Sequence, residues 1–198
     1  MKKLKMTVLA IVASVSLFSF QTPSEAASTT HTVSAGESLW KVANRYGVSI
    51  LDLKAANNQA SNLIFVGQKL VIPNSFISAA DKDLLARLIS AEAKGESYAG
   101  KVAVATVVLN ILSHPDFPDT VRGVIYQVES GHYAFTPVQN GTINQAADAD
   151  SKKAVNEALA FRGQGKGSVY FYNPITSTSK WIFSREVTTT IGNHRFAK

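Results

Sequence analysis

The sequence predicts an α+β fold, and three observations support that prediction. Apolar residues recur at helical spacing from Leu84 to Leu112, which indicates two consecutive helices. The stretch from Val169 to Ile191 instead holds short β-prone runs between turn residues, which indicates a small antiparallel sheet. Residues 31–73 stand apart, with the order strand, helix, helix, strand. At 198 residues the chain is long enough for two small domains.

The N-terminus predicts a secretory signal peptide over residues 1–26. Three lysines within the first five residues precede an almost wholly apolar run from Met6 to Phe20. Ser24-Glu25-Ala26 then offers small residues at the two positions that signal peptidase recognises. An uncleaved anchor is the alternative, but the run is shorter than the ~20 residues that span a bilayer. We expect cleavage after Ala26, secretion, and no membrane contact afterwards.

Composition excludes several classes of function. The net charge of +6 falls to +4 without the leader, and no block of Lys or Arg indicates a nucleic-acid partner. The absence of cysteine excludes disulfides, thiolate metal sites and a cysteine nucleophile. His31, His114, His132 and His194 form no metal-binding pair, and no G-x-S-x-G motif occurs. We therefore expect neither a metal nor a cofactor.

Residues 31–73 predict one compact unit. Ser38 is placed to cap a helix that ends at Gly47, and Ser49 to cap a second helix from Ile50 to Ala56. A strand over residues 68–73, stopped by proline, closes the unit.

A joint of small residues, 74–80, leads to a second unit over residues 81–198. Ser78 followed by Asp81 marks a helix start, and Gly95 breaks that helix before another from Tyr98 to Leu112. The remaining predicted elements are a short helix capped by Asp119, an irregular segment from Glu129 to Asn144, a helix from Asp150 to Arg162, and strands over 169–172, 180–183 and 186–191.

Glu92 is the residue on which the predicted chemistry depends. It follows Leu88 and Ile89 on one apolar helix face, where a carboxylate is desolvated and its pKa rises. A carboxylic acid that keeps its proton near neutral pH can act as a general acid. The alternative is an exposed helix-end glutamate paired with a nearby lysine. Glu96, one turn later, is a possible supporting carboxylate because a like charge nearby would raise the pKa further.

The first unit closely resembles a LysM domain. The resemblance spans TVSAGESLWKVANRYGVSILDLKAANN and LIFVGQKLVIP. LysM domains bind glycans that contain N-acetylglucosamine, such as peptidoglycan, in a shallow groove between two loops. The resemblance implies that these loops are 35–38 and 62–65. The residues that it places at the glycan are Gly36, Glu37, Ser38, Leu63 and Ile64.

The second unit resembles the SleB/CwlJ-type cell wall hydrolases. Its ARLISAEAKGESYAGKVAVATVVLNIL is similar to their A-E-A-x-G-E motif and the helix that follows, and VRGVIYQ, AFTPVQNG, VYFYNP and IGNHRFA continue the similarity. The resemblance implies a lysozyme-like fold with Glu92 as the catalytic acid. Two departures are Ile111, where arginine is common, and the segment 128–134, which resembles an insertion.

The resemblance also implies the substrate and further site residues. The expected substrate is the glycan strand of peptidoglycan, from vegetative wall or spore cortex, and the expected reaction is lytic transglycosylation. A hydrolysing muramidase, an N-acetylmuramoyl-L-alanine amidase and a non-catalytic wall-binding or coat-assembly protein stay open as alternatives. The residues expected to line the catalytic groove are Phe135, Thr136, Tyr170, Tyr172, Asn173 and His194.

Overall fold

The computed structural model describes residues 29–129 and 131–198. The predicted signal peptide over residues 1–26 lies outside the described residues. The strands are β1 (Thr29–Thr32), β2 (Lys69–Ile72), β3 (Val128–Glu129), β4 (His132–Tyr133), β5 (Tyr170–Tyr172), β6 (Val187–Ile191) and β7 (His194–Ala197). The helices are α1 (Leu39–Tyr46), α2 (Ile50–Ala56), α3 (Ala79–Glu92), α4 (Tyr98–Leu112), α5 (Val121–Ile125), α6 (Thr136–Gln139) and α7 (Ala149–Ala160). This mixture of elements confirms the α+β prediction.

The first unit is a two-stranded antiparallel sheet covered by two helices. β1 pairs with β2 in a register that places His31 opposite Leu70. Both predicted caps are present: the side chain of Ser38 accepts the Lys41 N–H, and that of Ser49 accepts the Leu51 N–H. The apolar faces of these elements meet in one core, which includes Val33, Leu39, Val42, Leu53, Leu70 and Ile72.

The second unit is built around α4. Of the five consecutive residues from Val104 to Val108, all but Thr106 are buried. Burial on all sides is expected of a helix that is surrounded by other elements. α3, α5 and α7 pack on it and share a core of Leu, Val, Ile and Ala side chains. α3 begins at the predicted Ser78 cap, which accepts the Asp81 N–H, and it ends at Glu92, before the glycine that was expected to break it.

The C-terminal sheet differs from the prediction at two points. Its strand order is β5-β7-β6, so the central strand is His194–Ala197, which was not predicted. The predicted strand over residues 180–183 is wrong, because Ile182–Ser184 form a 3-10 helix. There the ring of Trp181 turns edge-on to Tyr170 at 5.1 Å, so this segment packs through side chains instead of joining the ladder.

Two predictions between α4 and α7 are also corrected. The cap of α5 is Thr120, whose Oγ1 accepts the Gly123 N–H at 3.0 Å, and not Asp119. The segment 129–144, predicted as irregular, holds the β3–β4 hairpin, α6 and a 3-10 helix over Thr142–Asn144. In the described part of the chain no helix is both long and apolar enough to cross a membrane.

Candidate functional site

Glu92 is the last residue of α3, and it lies where two surface cavities meet. Leu85, Leu88 and Ile89 on the same helix are fully buried, so the predicted apolar face is present up to the turn that carries Glu92. The next residue, Ala93, is also buried and ends the helix. The carboxyl group is therefore held at the edge of the core and faces the surface over a limited area.

Burial raises the pKa of Glu92 from 4.5 to about 7, which confirms the direction predicted from the sequence. A hydrogen bond from the backbone N–H of Thr136 opposes part of that rise, because it favours the ionised form. With a pKa near 7, a large fraction of the groups hold their proton at neutral pH. The side chain can therefore give up a proton and take one back under the same conditions.

The two cavities differ in chemistry, and both are lined by Glu92 and Thr136. One, of about 420 Å³, has polar and charged walls that include Arg87, Lys94 and Asp148. The other, of about 710 Å³, has walls rich in aromatic side chains, among them Tyr133, Tyr170 and Phe171. Together they form a groove with a polar arm and an aromatic arm, and the carboxyl group lies at their junction. A groove made of two cavities that meet at one carboxyl group suits a polymer that extends beyond the reacting bond.

The aromatic arm is lined by five of the six residues predicted for the groove, and the sixth, Thr136, lies at the junction. Phe135 is buried and stacks on Phe171 with ring centroids 6.5 Å apart. It therefore packs behind the cavity wall and offers little of its own surface to a ligand. Tyr172 is also buried, with its ring edge-on to Phe183. Tyr170 is more open to the cavity.

Asn173 ends the aromatic wall. Its side-chain oxygen accepts the N–H of Ile175 at 2.9 Å, which fixes the turn after β5. The structure therefore uses this oxygen internally and leaves the amide nitrogen for other partners.

Glu96 does not lie beside Glu92 as a paired carboxylate. Its buried side chain crosses to the β6–β7 turn, where the backbone and side-chain nitrogens of Asn193 donate to it at 3.3 and 3.1 Å. His194 Nδ1 lies 3.7 Å from the same carboxylate, and the imidazole packs edge-on against Phe171 in the aromatic arm. Gly192 permits this approach, because a Cβ there would clash with the Glu96 carboxylate. Glu96 thus holds the turn that places His194.

Two further carboxylates line the groove, and the sequence analysis missed both. Asp148 lies in the polar arm, but it caps α7 through the Ser151 N–H and pairs with Lys101 at 2.8 Å. The hydrogen bond from Lys101 holds the pKa of Asp148 well below its usual range. Glu129, on β3, is exposed at the edge of the aromatic arm. Both come from segments distant in sequence, so no spacing signal points to them.

The predicted glycan-binding loops of the first unit are held by internal contacts. Glu37 accepts the Ser34 N–H at 2.8 Å and binds His31 and Arg45, and these hydrogen bonds and charges lower its pKa to about 2. Its carboxylate is therefore committed to the loop. Ser38 caps α1, and Gly36 adopts a left-handed backbone in which its carbonyl accepts Lys41 Nζ.

The second loop is the more open of the two. Leu63 is 63% exposed, next to the exposed Phe65, and Ile64 packs partly against the core. The group of exposed apolar side chains at Leu63, Phe65 and Val66, close to a loop held by hydrogen bonds, suits contact with the methyl group of an acetamido sugar. No cluster of three potential metal ligands occurs among residues 29–129 and 131–198.

Comparison with known proteins identifies the family. The Cell Wall Hydrolase family model matches residues 95–197, which is more than half of the chain, and the chain belongs to that family. The LysM domain model matches residues 31–73. The family match begins just after Glu92, so the role of that residue stays a prediction that rests on its geometry.

Two of the similar proteins are named as spore cortex-lytic enzymes. A spore cortex-lytic enzyme of Halalkalibacterium halodurans is 44% identical over 116 residues, 59% of this chain and 34% of the relative. One from Bacillus cereus is 40% identical over 127 residues, 64% of this chain and 47% of the relative. This chain therefore spans between a third and a half of these relatives.

A solved structure matches the second unit. It is the catalytic domain of the germination-specific lytic transglycosylase SleB from Bacillus anthracis. The TM-score is 0.57 at 39% identity, and the match covers 64% of this chain and all of that domain.

Proposed function

We propose that this protein degrades peptidoglycan by lytic transglycosylation, with Glu92 as its single proton-transfer group. The observation that supports this most strongly is a carboxyl group with a raised pKa at the junction of two groove arms. The name of the related structure, a lytic transglycosylase, supports the same reaction.

The reaction needs one acid that later acts as a base. Protonated Glu92 donates to the oxygen that joins N-acetylmuramic acid to N-acetylglucosamine, and the bond from C1 to that oxygen breaks. The carbonyl oxygen of the muramyl acetamido group stabilises the positive charge that develops at C1. Ionised Glu92 then takes the proton from the muramyl 6-hydroxyl, whose oxygen closes a 1,6-anhydro ring on C1.

The other groove carboxylates argue against a two-carboxylate hydrolysis. Hydrolysis of a glycoside normally uses an acid and a second carboxylate as nucleophile or base. Asp148 is occupied by its helix cap and by Lys101, which leaves Glu129 as the remaining candidate. Glu129 lies at the exposed rim of the groove, where solvent screens its charge.

The first unit is proposed to hold the enzyme on its substrate. Its two loops present backbone groups and the exposed Leu63 to an N-acetylglucosamine unit of the same wall. We place the protein at the cell wall or the spore cortex, outside the cell membrane, with the glycan strand as its partner.

The test is the product formed from purified sacculi. Wild type is expected to release muropeptides with 1,6-anhydromuramic ends, seen by mass spectrometry, and to lose rate above about pH 7 as Glu92 ionises. Glu92→Gln is expected to lower the rate by about 10²-fold or more, since general acid catalysis contributes about that much. Glu129→Gln is the matched control, with the same change in the same groove, and is expected to keep the anhydro products.

Other product types would decide against the proposal. New reducing ends would indicate a hydrolysing muramidase, and new free amines at muramyl sites would indicate an amidase. Binding to sacculi without turnover, unchanged in Glu92→Gln, would indicate a non-catalytic wall protein. Comparison of vegetative sacculi with spore cortex would show which wall is the substrate.

A further inference from the structure

The two units are packed against each other along one side of α7. Ala160, at the end of α7, is completely buried and belongs to the core of the first unit. The next residue, Phe161, lies 6.4 Å from Trp40 of α1, measured between ring centroids. The second unit therefore supplies part of the first unit's core, which a tethered domain that folds alone would not need.

A polar contact closes the same junction. Arg162 Nη2 binds Asp52 of α2 at 2.8 Å, and its guanidinium lies over the ring of Phe76 in the joint at 4.0 Å. The backbone carbonyl of Arg162 accepts the hydroxyl of Ser49 at 3.2 Å. Arg162 is thus tied to both units and to the joint between them, and its side chain is mostly buried.

The C-terminal end of α1 is capped from outside its own unit. Lys82 of α3 donates to the carbonyls of Tyr46 and Gly47, both at 3.2 Å, and Ser75 of the joint donates to Gly47 at 2.7 Å. A cation at a helix C-terminus interacts favourably with its carbonyls and its dipole. Gly47 is also required for the approach, because a Cβ there would clash with Lys82 and Asn156.

We propose that the first unit, the LysM domain, is docked in one orientation on the second, catalytic unit, and that the ion pair between Asp52 and Arg162 holds it there. We call the docked first unit the fixed arm, as distinct from the two arms of the groove. The functional part of this inference rests on the proposed function. A fixed arm presents the glycan-binding loops and the groove in one constant orientation, so a wall strand bound by the loops meets Glu92 at a constant offset. A seven-residue flexible tether over residues 74–80 would instead sample many orientations.

The first test measures the arm directly and needs no activity. The chain has no cysteine, so spin labels at Ala55→Cys and Ala99→Cys, both exposed helical positions, would be its only labelled sites. Measurement of the distance between the two spin labels on the full mature chain, by pulsed electron spin resonance, is expected to give a single narrow distribution of distances. Arg162→Glu is expected to broaden it, and Asp52→Arg added to that variant is expected to narrow it again. Lys152→Glu, which reverses an exposed charge on α7, is the matched control and should leave the width of the distance distribution unchanged.

A broad distribution of distances in wild type would overturn the fixed arm. A narrow distribution in Arg162→Glu would overturn the role of the ion pair in holding the arm. Circular dichroism on each variant separates loss of docking from loss of folding. Where Arg162→Glu is unfolded, Arg162→Lys takes its place, because it keeps the charge but loses the planar guanidinium that lies over Phe76. The distance distribution of that variant is interpreted in the same way.

The second test measures what the arm does. On whole sacculi, Arg162→Glu is expected to lower the initial rate about threefold or more, because the bound strand is no longer held at the groove. On a short soluble muramyl glycan, which engages the groove alone, the rate should stay at the wild-type level. An unchanged rate on sacculi would overturn the fixed arm as a functional device. If wild type cleaves neither substrate, the proposed function fails, while the distance measurement still decides the docking.

Discussion

At the level of single residues, Glu92 ends a helix face whose other members are hydrocarbon side chains. Its pKa rises to about 7 because the ionised form loses hydration there. The native state therefore holds this proton more tightly than the unfolded chain does between pH 4.5 and 7. By linkage, this residue makes the protein less stable as the pH rises through that window, and the penalty is constant above it.

Glu92→Gln is accordingly expected to stabilise the protein, in a way that depends on pH. Glutamine keeps the shape and can still accept the Thr136 N–H, but it never ionises. The gain in free energy of unfolding should be near zero at pH 4.5 and should approach about 3 kcal/mol at pH 8, as the difference between pKa values of 4.5 and about 7 implies. Denaturant titration at the two pH values measures it. Glu129→Gln, at an exposed site, should show no such trend, and a pH-independent gain in Glu92→Gln would contradict the buried-acid assignment.

Gly192 tests the positioning role of Glu96. Gly192→Ala adds a Cβ that clashes with the Glu96 carboxylate, so the turn that holds His194 must shift. We expect kcat/KM on sacculi to fall about tenfold, because small displacements at an active site are costly. Gly167→Ala is the control: it has the same left-handed backbone but open space around it, and should cost only about 1 kcal/mol of stability. Equal effects of the two variants on kcat/KM would contradict the role of Glu96.

At the level of elements, α5 is short and depends on its cap. Thr120→Ala removes the acceptor of the Gly123 N–H and is expected to lower the free energy of unfolding by about 1 kcal/mol. Thr120→Ser should retain most of that stability. Asp119→Ala should have almost no effect, because the exposed Asp119 is not the cap. Chemical denaturation of the three variants decides whether Thr120, as in the structure, or Asp119, as predicted from the sequence, caps the helix.

The helices were the more predictable elements, for a local reason. Ser38, Ser49 and Ser78 cap the helices that they were predicted to cap, since a cap and an apolar periodicity are both written within a few residues. β7 could not be found in this way. It is a four-residue strand whose pairing partners, β5 and β6, decide that it is a strand at all.

The candidate site was predictable only in part for the same reason. Glu92 could be singled out because its burial follows from its own helix. Glu96 was expected as a second carboxylate beside it, and its contact with Asn193 instead depends on a turn almost a hundred residues away. Asp148 and Glu129 reach the groove through tertiary packing, which no spacing in the sequence records.

At the level of the whole molecule, the packing of the two units predicts how the protein unfolds. Each unit carries one of the two tryptophans, Trp40 in the first and Trp181 in the second. Because Ala160 and Arg162 join the units, we expect Trp40→Phe and Trp181→Phe to report the same denaturation midpoint by fluorescence. Adding Arg162→Glu to each should separate the two midpoints. Two distinct midpoints without that substitution would mean that the units unfold independently.

The hydrogen bond from Thr136 to Glu92 has a consequence for how the protein tolerates genetic variation. The donor belongs to the main chain, so every amino acid except proline supplies it equally well. The side chain of Thr136 is exposed and lines the groove, so a substitution there changes the groove wall but leaves the hydrogen bond to the acid in place. This contact with the proposed acid is thereby kept in every single-residue variant at position 136 except proline.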